Sequence, residues 1–128
     1  MATVTEGSYT VFAKVATVGY GDSSAVDLWN LPRDARVIDI QVDVVTAFSG
    51  GTTELDIGIK NADGADGDYF ADAIDVSGVG RASVTLLKGG IDLGDRPVTV
   101  TATAGASNTA GSARVTVLYM CLSSSHLH

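Results

Sequence analysis

The segment Asn61-Ala62-Asp63-Gly64-Ala65-Asp66-Gly67-Asp68 holds the densest set of hard oxygen ligands in the chain. Ca²⁺ takes about six to eight such oxygens, and glycines let a loop wrap around the ion. Asp63, Asp66 and Asp68 are therefore the metal-ligand candidates. The spacing argues against an EF-hand, because placing Gly64 at the sixth position puts Ile59 at the first, where a carboxylate is required. The Gly-Gly-x-Gly-x-Asp repeat of calcium β-rolls is absent as well. The reading that fits the spacing is a solvated acidic loop, and no cofactor is expected.

His126 and His128 are the only histidines. On a strand two such residues share a face and suit a transition metal, but no cysteine or carboxylate lies beside them in sequence. A Ser-His-Asp or Cys-His arrangement would have to recruit this C-terminal end. Cys121, the single cysteine, lies in the apolar run from Val115 to Leu122 and reads as a small buried hydrophobe. One cysteine forms no internal disulfide, so the fold does not depend on oxidation. Paired carboxylates for glycoside hydrolysis usually come with stacking aromatics, and the chain has 1 Trp, 4 Tyr and 3 Phe. Trp29, between Leu28 and Asn30, reads as core or sheet-edge packing. Gly19-Tyr20-Gly21-Asp22 and Gly78-Val79-Gly80-Arg81 precede no helix and so are turns, not phosphate cradles. The expectation is a protein that is not an enzyme.

The elements that position these residues follow from composition. Among 128 residues there are 16 Val, 16 Ala, 15 Gly and 13 Thr against 3 Lys, 2 Glu and 2 Pro, which argues against a helical bundle and for strands. The length suits one domain with one core. The net charge is -7, and 13 of the 15 acids are Asp, a turn residue. That sign repels phosphate backbones and anionic headgroups, so neither nucleic acid nor membrane is an expected partner. No apolar run is long enough for a transmembrane helix, and the start has no signal-peptide pattern, so synthesis in a cytoplasm is expected.

Apolar residues recur with a period of two, separated by Gly, Asp, Asn and Ser. In Ala35 to Phe48 the spacing puts Ile38, Ile40, Val42 and Val44 on a dry face and Asp39, Gln41 and Asp43 on a wet one. Leu55, Ile57 and Ile59 alternate in the same way, and Ser49-Gly50-Gly51-Thr52-Thr53 between them predicts a hairpin. Val98, Val100 and Ala102, then Val115, Val117 and Tyr119, predict a second hairpin across residues 104–111. Weaker strand candidates are Tyr9 to Val18, Ala25 to Asn30, Asp68 to Ala71 and Ala82 to Leu87; a short helical turn is possible at Ala71 to Val76. The fold class is all-β: an antiparallel two-sheet sandwich, jelly-roll-like, of seven to eight strands. Residues 1–8 read as an N-terminal arm, 9–122 as one sandwich domain and 123–128 as a C-terminal tail.

The block Leu31-Pro32-Arg33-Asp34-Ala35-Arg36-Val37-Ile38-Asp39-Ile40, then Val44-Val45-Thr46-Ala47-Phe48, Gly51-Thr52-Thr53-Glu54-Leu55-Asp56-Ile57-Gly58 and Asp68-Tyr69-Phe70-Ala71, resembles small β-rich virion proteins of tailed bacteriophages. These are the head decoration, or cement, proteins encoded beside the major capsid protein. The resemblance spans about residues 26 to 81. It implies a structural virion protein on the capsid exterior, with the major capsid protein as partner and a homotrimer as the assembled form. Thr3, Val4, Thr5 and Glu6 of the arm are then interface candidates, lying on the shell or a neighbour as an added strand. The alternative is a phage fibre, tail or adhesin-type β-sandwich that binds a carbohydrate or receptor through its loops.

Overall fold

The computed structural model describes residues 10–89, 93–94 and 96–121. The expected arm with Thr3, Val4, Thr5 and Glu6, the expected tail, and His126 and His128 all lie outside these residues. Among the described residues eight strands form where β-branched residues alternate with polar ones: β1 Val11–Gly19, β2 Val26–Leu31, β3 Ala35–Ser49, β4 Glu54–Asn61, β5 Gly64–Asp75, β6 Gly80–Arg81, β7 Val98–Ala104 and β8 Ala110–Cys121. They make two antiparallel four-stranded sheets, ordered β1-β8-β3-β6 and β2-β7-β4-β5. The pairs β1·β8, β2·β7, β3·β6 and β4·β5 are the rungs of one long hairpin rolled into a sandwich, a jelly-roll-like order.

This order corrects both predicted hairpins. β3 lies in the first sheet and β4 in the second, and β7 and β8 divide in the same way. Residues 49–53 and 105–109 are therefore crossings from sheet to sheet. Alternation shows that a strand has one dry face, and both partners of a crossing satisfy it by burying that face in the same core. Among the described strands only the acidic β4–β5 turn joins neighbours within a sheet.

Between the sheets lie Val18, Leu31, Val37, Ile40, Val42, Val44, Phe48, Leu55, Ile57, Phe70, Val76, Val100, Val115 and Val117, all nearly inaccessible to solvent. Ile38 is not among them. The β3·β8 register slips between Val37 and Asp39, so the dry face passes from Val37 to Ile40 and Ile38 turns outward, 40% exposed. The predicted helical turn at Ala71 to Val76 is instead the end of β5. Asp72 and Ala73 together oppose Asp56 there, and the Ala73 amide, at a φ of 53°, donates to Asp56 Oδ1 at 2.7 Å. The segment Ala82 to Leu87 joins no ladder beyond Arg81, although Ala82, Val84 and Leu86 do pack against the core. Trp29 is half-buried against the core on β2, a sheet edge.

Candidate functional site

The acidic segment is a tight hairpin in which Asp63 pairs with a distant cation while the Asp66 and Asp68 side chains meet each other. Asn61 pairs with Gly64, leaving Ala62 and Asp63 as the turn. Asn61 Oδ1 accepts from the Asp63 amide at 2.9 Å, the local bond that makes Asn a turn former. Asp63 points to Arg96, at 3.3 Å. Asp66 and Asp68 lie on β5 beyond the turn, not in a loop, and Asp66 Oδ1 accepts from the Asp68 amide at 3.4 Å. An open depression of about 300 Å³ is lined by Ile59, Asn61, Asp63, Ala65, Asp66 and Tyr69. Among the described residues no three His, Cys, Asp or Glu side chains converge to hold a metal ion.

Crowding of like charge shows in the titration of this strand. A side-chain hydrogen bond with Asp66, followed by the negative charge of Asp66 and Asp72, pushes the Asp68 carboxyl above its usual range. A carboxyl whose pKa is raised by folding binds its proton more tightly in the native state. Stability from this group is greatest at acid pH and falls as pH rises through the raised value. Asp68→Asn should therefore raise the melting temperature slightly at pH 7 and leave it unchanged near pH 3. A loss at pH 7, read by thermal melting at both pH values, would contradict this electrostatic account.

Cys121 is the last residue of β8 and is half-buried, not fully buried as its apolar surroundings suggest. Its Sγ donates to the Arg33 carbonyl at 3.4 Å. Lying at a strand end, it is covered on fewer sides than Val115 or Val117 in the middle of the same strand.

Two features escaped the sequence reading. The first is Asn108, 91% buried within the 105–109 crossing. Its carboxamide accepts from the Gly51 amide at 3.2 Å and donates to the carbonyls of Thr52 at 2.7 Å and Gly105 at 3.1 Å. The two crossings are thereby tied together, and backbone bonds Thr52 N to Ala106 O and Thr109 N to Ser49 O add to the junction. Gly105 is required by this approach, since a Cβ there would overlap the Thr52 carbonyl. The second is an apolar surface on the first sheet: Val11 and Val15 are each 53% exposed, Ile38 is 40% exposed and Val45 57%. The signal was present in Val11-Phe12-Ala13-Lys14-Val15-Ala16-Thr17-Val18, where no clearly polar face alternates with the dry one.

No family model and no curated protein matches this chain. Solved structures do. A chain of the cyanophage Pam1 capsid asymmetric unit superposes with a TM-score of 0.64 at 17% identity, covering 95% of this chain and 93% of that one. A chain of the Ralstonia phage GP4 capsid gives 0.62 at 19% identity, over 97% of this chain and 92% of its own. A chain of the acid-stable capsid of Helicobacter pylori bacteriophage KHP30 gives 0.61 at 18% identity, over 92% and 95%. The chain thus has the fold of proteins found in phage capsids, matched nearly end to end in both directions.

Proposed function

We propose that this protein is a structural component of a tailed-phage virion that binds the outer surface of the capsid and stabilises it, a decoration or cement protein without enzymatic activity. The observation that carries this reading is the near-complete match to chains of three phage capsids at TM-scores of 0.61 to 0.64. The chemistry agrees with it. A net charge of -7 keeps free copies soluble while they await a shell. The partner is the major capsid protein, and the protein is made in the host cytoplasm before it joins the virion exterior. Many weak, equivalent contacts on a shell reinforce one another, with avidity gains on the order of 10² to 10⁴ for a linked second contact.

Residues 2–8, with Thr3, Val4, Thr5 and Glu6, are proposed to contact the shell. The test is to add purified protein to expanded heads that lack it and to image the particles by cryo-electron microscopy. Density on the outer surface, at three-fold positions if the assembly is trimeric, is the expected result. Density confined to a portal, tail or fibre would overturn the reading in favour of a fibre or adhesin module. Deleting residues 2–8 should lower occupancy on the heads severalfold, and unchanged occupancy would remove the arm from the contact.

A further inference from the structure

A sandwich of two open sheets has four edge strands, and each presents unpaired backbone groups to any strand that approaches. Among the described residues the edges are β1 and β6 of the first sheet and β2 and β5 of the second. Three of them are blunted. β6 is only two residues long, and Arg81 on it is paired with Asp43. β5 carries Asp66, Asp68, Asp72 and Asp75 and is kinked at Ala73. β2 has six residues, a register slip after Asp27, and Asp27 held by Lys60 at 2.7 Å.

β1 has none of these protections. It runs nine residues in unbroken register with β8, contains no proline and no carboxylate, and has Lys14 as its only charge. Its apolar residues are open to solvent on both faces, with Val11 and Val15 on the outer side and Phe12, 41% exposed, on the side that stacks on Tyr119. On a chain of net charge -7, a second copy meets the least repulsion at this acid-free edge.

We infer that β1 is a self-association edge, where the β1 strands of two copies pair antiparallel about a two-fold axis at Ala13 and join their first sheets into one eight-stranded sheet. The register follows from the side chains. With the axis at Ala13, exposed Val11 faces Val15 of the second copy, and Phe12 faces the aliphatic stem of its Lys14. Moving the axis to Lys14 sets two ammonium groups directly opposite each other, which is unfavourable. Moving it to Val15 sets Val11 against Gly19, whose amide is held by the Asp22 carboxylate at 2.8 Å, and wastes Phe12 on Val18, which is already fully buried. A two-fold contact of this kind is isologous, so it closes at two copies.

The test uses the full chain in solution, apart from any capsid. Sedimentation velocity from 1 to 100 µM should show a dimer. Val15→Asp, at an exposed position, should raise the dissociation constant at least tenfold, while Asp72→Lys on β5 should leave it unchanged. In a Cys121→Ser background, Ala13→Cys sits on the axis and should cross-link to itself under mild oxidation. A monomer at 100 µM overturns the inference, whether the edge stays open or another segment of the same chain takes it. A trimer, a dimer that Val15→Asp leaves intact, or an Ala13→Cys chain that does not cross-link overturns it too. Binding to heads is read separately, so failure here leaves the capsid reading standing, and failure there leaves the pair standing.

Discussion

Asn108→Ala should lower the unfolding free energy by about 2–4 kcal/mol, read from urea denaturation. The substitution leaves the Gly51 amide and the Thr52 and Gly105 carbonyls without the partner that satisfies them at 2.7 to 3.2 Å. Each buried group left unsatisfied costs about 1–3 kcal/mol, and partial access of water to a corner keeps the sum below three full penalties. At this chain length 1 kcal/mol corresponds to about 3–5 °C, so thermal melting should show a drop of roughly 6–20 °C. Asn108→Asp tests the same point by a different route. It keeps the acceptor for Gly51 but loses both donors and sets a carboxylate against two carbonyls, so at neutral pH it should destabilise about as much as alanine. A change below about 0.5 kcal/mol for either variant would mean that the two crossings hold together without Asn108.

Phe48→Ala should cost about 3–5 kcal/mol, the range for deleting a buried aromatic ring. Phe48 is 1% exposed and lies near the end of β3, where its ring covers Gly111 so closely that a Cβ at that position would overlap three ring carbons. Gly111 also has a φ of 145°, which side-chain-bearing residues rarely adopt. Gly111→Ala is therefore destabilising for two reasons, strain and overlap, and only the overlap is relieved by shrinking its neighbour. The double variant Phe48→Ala with Gly111→Ala should be less unstable than the sum of the singles, by about 0.5–2 kcal/mol of coupling. Additivity within error, in urea melts of the four proteins of the cycle, would mean that the ring and the glycine do not depend on each other.

What could be read from the residues alone was each strand's dry face, more than its partner. Leu55 and Ile57 on β4, and Val98, Val100 and Ala102 on β7, are buried where alternation put them. Sheet membership is another matter, because a strand that crosses to the facing sheet buries the same residues as one that folds back beside its predecessor. Ser49 to Thr53 looked like a hairpin turn on those grounds, yet five residues also span the gap of about 10 Å between packed sheets. The bulge that turns Ile38 outward has no local signature, since it is set by the pairing of Val37 and Asp39 with Tyr119 and Leu118 some eighty positions away. Ala82 to Leu87 alternates as a strand does, and its side chains do alternate in burial, but the backbone finds no ladder. The candidate acidic site was legible as a turn and not as a geometry. Nothing near Asp63 in sequence announces Arg96, and its partner shows only once the chain is rolled up.

The nested pairing also sets the order in which the molecule comes into being. Val11 lies beside Met120 and Val26 beside Ala102, so the first strands made must wait for almost the last before their sheets close. Pairings so distant along the chain carry a large loop-closure cost and fold slowly. Among the described strands only β4 and β5 can pair as soon as both have been synthesised. The acidic hairpin is thus the natural starting point from which the remaining strands zip outward, two at a time. Its six aspartates, Asp56, Asp63, Asp66, Asp68, Asp72 and Asp75, lie on the part that stands alone longest, and like charge there keeps unfinished chains from pairing with one another.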